Sequence, residues 1–243
     1  MTDIAVASDS DQHLVASSGR DRMVQLFRKT SDAFELIQTM DDHVGAVGRL
    51  LFMNDGARLL SCSADRTIIV REKVTREMDA TTVTAYLLTK VITLKVSPVS
   101  MAVVPDEPDT VVVSTIDRHV QRYDVPSGRH IHSFRASDQE SNDAVVMSSL
   151  TVTSDIPGQT PRLLVGVATT DKSIRVYDLE RDVLFTREFG HSEGVSDVML
   201  LPAQDSGSFT LVSTGLDGVV MIWDLSVQPQ QTQELSQANL RDE

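Results

Sequence analysis

The sequence is poor in the residues that carry specialised chemistry. Among 243 residues there is one cysteine, Cys62, so neither an internal disulfide nor a multi-cysteine zinc site can form. No run approaches eighteen apolar residues, the length a membrane-spanning helix needs. The first ten residues (MTDIAVASDS) carry an acidic residue where a secretory signal needs basic ones. Basic residues are also short: 22 against 35 acidic ones leave a net charge of −13, a poor match for nucleic acid or an anionic membrane. These absences lead us to expect a cytoplasmic protein without nucleic-acid or membrane partners. Aromatics are scarce as well, with one Trp, three Tyr and seven Phe, so their positions are informative.

What is present is a repeat. A short apolar strand rich in small residues, a tight turn containing Asp and a second strand ending in a ring or bulky residue recur five times. The copies are HLVASSGRDRMVQLFR, RLLSCSADRTIIVRE, TVVVSTIDRHVQRYD, LLVGVATTDKSIRVYD and TLVSTGLDGVVMIWD. Their turn aspartates, Asp21, Asp65, Asp117, Asp171 and Asp217, lie 44, 52, 54 and 46 residues apart. Six residues after each come Phe27, Arg71, Tyr123, Tyr177 and Trp223, so the lone Trp and two of the three Tyr hold one repeated position.

Further strand candidates lie between the hairpins, Ile4 to Ala7 precedes the first, and no outer strand is expected after Trp223. Gly48 to Met53, Val99 to Val104, Val145 to Thr153 and Val195 to Leu201 precede hairpins; Phe34 to Met40, His130 to Arg135 and Val183 to Phe189 follow them. Four short strands in roughly 45 to 50 residues cannot bury their apolar faces alone, and radial stacking of such sheets makes a β-propeller. The expected fold is therefore all-β: a propeller with about five four-stranded blades, either an incomplete arc of a larger ring or a small closed ring. The expected blades cover residues 1–40, 41–94, 95–135, 136–189 and 190–225, and a flexible polar tail covers 226–243. An arc would expose strand edges, which leads us to expect missing blades. The longest loops are expected near Thr75 to Thr84 and Ala136 to Ala144.

In Gly190-His191, Ser213, Asp217 and Trp223-Asp224 the chain resembles the WD-repeat (WD40) family. The resemblance implies a buried hydrogen-bonded tetrad of His191, Ser213, Asp217 and Trp223. It implies partial tetrads at His43, Ser61 and Asp65, with Arg71 in the Trp position, at Ser17 and Asp21, at Asp117 and Tyr123, and at Asp171 and Tyr177. The stretches ASSGRDRMVQLF, LIQTMDDH, LLSCSADRTIIVRE and FGHSE are similar to the second propeller of mitogen-activated protein kinase-binding and spindle-pole microcephaly WD-repeat scaffolds. That narrower resemblance implies kinase or cytoskeletal partners and a place on the cytoskeleton.

The candidate chemistry is modest. A carboxylate recurring in every unit serves blade geometry, whereas a catalytic pair occurs once per site. His130 and His132 lie two apart on a strand and could point two metal ligands the same way, but no third ligand is near in sequence. Lys90 to Val96 loosely resembles a kinase-docking peptide and reads equally as an ordinary strand. No phosphate loop, nucleophile elbow or zinc-protease motif is present. We expect no cofactor, no metal and no catalysis, but a platform for binding other proteins. The alternative is an enzyme or small-ligand site on a propeller face.

Overall fold

A computed structural model describes residues 1–8, 13–78, 81–138, 143–154, 162–201 and 208–226. Among them are nineteen β-strands in five antiparallel sheets, and no helix. Blade 1 holds β1 (Asp3–Ser8), β2 (His13–Ser18), β3 (Val24–Lys29) and β4 (Phe34–Met40). Blade 2 holds β5 (Val47–Met53), β6 (Arg58–Ser63), β7 (Thr67–Met78) and β8 (Thr81–Thr93). Blade 3 holds β9 (Pro98–Val104), β10 (Glu107–Thr115), β11 (His119–Asp124) and β12 (Arg129–Arg135). Blade 4 holds β13 (Met147–Val152), β14 (Leu163–Ala168), β15 (Ile174–Asp178) and β16 (Val183–Glu188). Blade 5 holds β17 (Val195–Leu201), β18 (Ser208–Gly215) and β19 (Val220–Ser226). The sheets are arranged as a five-bladed β-propeller.

The repeated aspartate makes the hairpin turn. Between the second and third strands, the residue after each aspartate has a left-handed backbone: Arg22, Arg66, Arg118, Lys172 and Gly218, with φ from 62° to 75°. In four of the five turns its N–H donates to the carbonyl three residues back, namely those of Gly19, Ser63, Thr115 and Gly215. The aspartate carboxylate then accepts the N–H two residues on, from Met23, Thr67, Ser173 and Val219 at 2.9 to 3.2 Å. An aspartate at this spot caps its own turn, which is why the residue type recurs.

The third and fourth strands pair with a bulge at one fixed place. Phe27 faces Leu36, Arg71 faces Leu88, Tyr123 faces His130 and Tyr177 faces Leu184, each with a register shift beside that pair. Residues on the two sides of each sheet then bury against different neighbours. Leu14, Ala16, Val24 and Leu26 of blade 1 pack on Val47, Leu50, Leu59 and Tyr86 of blade 2. Three further apolar clusters join blades 2 and 3, 3 and 4, and 4 and 5. Full burial of a leucine such as Leu26 contributes about 2 kcal/mol.

Several elements differ from expectation. The loop expected at Thr75 to Thr84 belongs to a ribbon: β7 and β8 stay paired out to Met78 and Thr81, about twice the length of the other hairpins. Thr, Val, Glu and Arg suit a solvated two-stranded ribbon as well as a loop, so composition did not separate the two. Lys90 to Thr93 lie inside β8 and pair with β7. Of the loop expected at Ala136 to Ala144, Ser137 and Ala144 form an isolated bridge, and 139–142 lie outside the described residues. The expected tail beyond Ser226 also lies outside them. Blade 5 has three strands among the described residues, and no apolar cluster there joins it to blade 1.

Candidate functional site

Blade 5 brings His191, Ser213, Asp217 and Trp223 into one chain of hydrogen bonds. The Trp223 indole N–H donates to Ser213 Oγ at 2.8 Å, and Ser213 Oγ lies 2.8 Å from His191 Nε2. His191 Nδ1 lies 3.1 Å from both oxygens of Asp217. An ionised aspartate only accepts, so Nδ1 carries the proton; Nε2 then accepts from the serine, whose oxygen is left for the indole. Burial raises the Asp217 pKa, but the Val219 N–H, His191 and the Ser192 N–H outweigh it and hold the carboxyl below its ordinary range. Gly190 runs under the indole: a Cβ there would lie 2.7 Å from the Trp223 ring, so only glycine fits.

Blade 2 repeats the chain with a different donor. His43 Nδ1 sits 3.0 Å from Asp65 and Nε2 2.9 Å from Ser61. Arg71 Nη1 donates to Ser61 at 2.9 Å, as the indole does in blade 5, while Nη2 donates to Asp42 at 2.7 Å. Burial raises the Asp65 pKa, but the Thr67 hydroxyl, His43 and the Val44 N–H together bring it down to about 2.

The other sequence-predicted sets do not assemble in this way. Asp21 accepts from the Met23 N–H, and Ser17 stands half-buried on β2 opposite Ile4 and Gln25. The Thr115 hydroxyl donates to Asp117 at 2.5 Å, whereas the Tyr123 hydroxyl donates to Gln121 at 2.7 Å, so that pair is served separately. Asp171 accepts from Ser173 and from the buried Arg175 at 2.8 Å. Tyr177 is fully buried against Phe134, and burial pushes its phenol up. His130 and His132 take separate partners: the Tyr123 ring at 5.3 Å and Asp182 at 2.6 Å. Among the described residues no group of three or more His, Cys, Asp or Glu could hold a metal.

The polar side chains gathered from different blades lie along the innermost strands. A cavity of about 310 Å³ is lined by β1, β5, β9 and β13 together with Asp197 of β17. Arg49 reaches Asp3 at 3.5 Å and Asp197 at 3.3 Å, and the Ser149 hydroxyl donates to Asp197. The Leu50 N–H donates to Asp3 at 2.7 Å, yet burial raises that carboxyl's pKa. Asp3, Arg49 and Asp197 of three blades thus meet at the cavity, with the buried Ser149 of a fourth behind Asp197. Sequence reading missed this cluster because its members lie far apart and follow no spacing.

Cys62 is fully buried, which pushes its thiol up to about 12 and suits a packing role. No curated protein matches the sequence. The family model described as WD domain, G-beta repeat matches residues 34–71 and 184–224, which contain the His43 and His191 hydrogen-bond chains. With five sheets arranged about one channel, these matches support a WD40 β-propeller.

Proposed function

We propose that this protein is a non-catalytic platform for binding other proteins, with the mouth of the central channel as one contact surface. WD40 domains typically mediate such binding. The observation that carries the reading is the convergence of Asp3, Arg49 and Asp197 from three blades onto one cavity, with the buried Ser149 of a fourth blade donating to Asp197 from behind. Neighbouring blades pack through dense apolar cores, so these groups are held by a rigid frame. The histidines and aspartates of the two complete chains are engaged in holding their own blades together. A finer reading places the platform in kinase signalling or in spindle and cytoskeletal assembly in the cytoplasm, and it rests on the sequence resemblance alone.

The test is quantitative affinity capture with wild type and an Arg49→Glu/Asp197→Lys double variant whose thermal midpoint is first shown to be close to wild type. Selective loss of a subset of partners supports the channel mouth. An unchanged partner set overturns it. Kinases or microtubule-associated proteins among the lost partners support the finer reading; their absence from both sets counts against it.

A further inference from the structure

Hairpin geometry accounts for the turn aspartates but not for the residues that follow them. In four of the five turns the next residue is a cation, Arg22, Arg66, Arg118 or Lys172, and in the fifth it is Gly218. The four cations are exposed, and their φ of 62° to 73° is a left-handed backbone that disfavours any side chain and suits glycine. Nor do they pair with the aspartates beside them, whose carboxylates turn back onto the hairpin. Among the described residues Arg22, Arg66 and Arg118 form no ion pair, and Lys172 reaches only the Ser192 carbonyl at 2.6 Å and Glu193 at 3.8 Å.

All of these turns lie at one end of the sheets. Each joins a second strand to a third, and the antiparallel order sets it beside the links that run from a fourth strand to the next blade. In two such links the Leu94 and Ala136 N–H groups donate to the carbonyls of Arg66 and Arg118 at 2.8 and 2.9 Å. The first strands begin at this end too, so the cations form a rim around the charged mouth of the channel at Asp3 and Arg49. Several carboxylates of the rim are already engaged: Asp42 by Arg71 at 2.7 Å, Asp138 by Arg187 at 3.7 Å, and Asp65, Asp171 and Asp217 by His43, Arg175 and His191. Asp41 and Glu193 stay exposed. The same loops expose Val44 at 79%, Ile116 at 55% and Leu216 at 77%, so one face of a strongly acidic chain joins uncompensated cations to apolar side chains.

We propose that this face docks an acidic segment of a partner protein. Carboxylates of the segment meet Arg22, Arg66, Arg118 and Lys172, one cation on each of blades 1 to 4, and its apolar side chains cover Val44 and Ile116. Charge complementarity of this kind steers the encounter and sets which partners are accepted. Two molecules of net charge −13 repel each other, which disfavours a second copy as the occupant. Such a partner presupposes the binding platform described above, but it is held by residues other than those of the channel mouth.

The probe is a fluorescent acidic peptide, EEDLEEFDELEEDL, titrated into the full chain beside a neutral control, QQNLQQFNQLQQNL. Saturable binding of the acidic peptide alone is expected, and it weakens as salt rises. The fourfold variant Arg22→Gly/Arg66→Gly/Arg118→Gly/Lys172→Gly removes the charges where glycine suits the backbone, so the thermal midpoint holds while binding weakens at least about tenfold. A fourfold glutamine variant keeps a side chain at each turn and loses binding to the same extent. Arg49→Glu/Asp197→Lys keeps binding; a loss there would assign the segment to the channel mouth and overturn the rim. The proposal is also overturned if the acidic peptide fails to bind, if the control binds as well, or if either fourfold variant binds like wild type. Sedimentation that finds wild type self-associated and the glycine variant monomeric overturns it too, since a second copy then holds the face. The platform reading fails separately, through an unchanged partner set in the affinity capture.

Discussion

Asp65 and His43 are coupled titrating neighbours, and their pKa shifts have the same consequence in acid. Asp65 lies at about 2, against about 3.9 for an unfolded aspartate, so its stabilisation is complete above about pH 4 and is lost as pH falls toward 2. Burial outweighs Asp65 in setting His43 and puts its pKa below 6.5, so the fold favours neutral imidazole. That contribution is complete above about pH 6.5 and declines below it. Urea midpoints are therefore expected to fall between pH 7 and 5 and again below pH 4, with a smaller second fall in Asp65→Asn; a midpoint flat from 7 to 5 would contradict the His43 assignment. In blade 5, Ser213→Ala leaves the Trp223 N–H and His191 Nε2 without their shared partner and costs about 1 to 3 kcal/mol, read by equilibrium denaturation. For Cys62, a thiol at about 12 predicts that a disulfide-exchange reagent reacts only as fast as the native state opens, and at once in denaturant.

The hairpin turn makes its own demands. Gly218 has φ of +75° and open space around a would-be Cβ, so Gly218→Ala tests backbone strain alone. The expected cost is about 1 kcal/mol, while Arg66→Gly, at φ 68°, is expected to be neutral or to stabilise by less than about 1 kcal/mol. Thermal midpoints of the two variants should therefore move apart. These turns were legible in the sequence because each blade must solve the same geometric problem, so Asp21 through Asp217 recur at one offset from a bulky residue. Arg71 was visible as an exception, but its role was not: an arginine reaches the serine of its blade as an indole does, and only coordinates show that. The ribbon of β7 and β8 escaped because solvated strands and polar loops share a composition. So did the two hydrogen bonds by which the Gln38 side chain grips the Tyr86 backbone, each 2.8 Å, since no spacing links blade 1 to that ribbon.

At the scale of the whole molecule, every blade leaves some apolar side chains in solvent, Leu87 of blade 2 at 51% and Ile131 of blade 3 at 45% among them. Blade 1 leaves Ile4 49%, Val6 62% and Leu36 49% exposed, and blade 5 leaves Met199 57% and Ile222 73% exposed. Such apolar surface is expected to bind an environment-sensitive hydrophobic dye. Val6→Lys and Ile222→Lys should each lower the dye signal without shifting the thermal midpoint much; unchanged fluorescence in both would show that these faces are covered in solution. Among the described residues four apolar clusters serve five blades, so that there blades 1 and 5 each lean on a single neighbour while blades 2, 3 and 4 lean on two. For a row of modules held by nearest-neighbour contacts, that arrangement sets an order of melting. The outer modules open at a lower free energy than the middle one, and the molecule unzips from both ends toward β9–β12 rather than all at once.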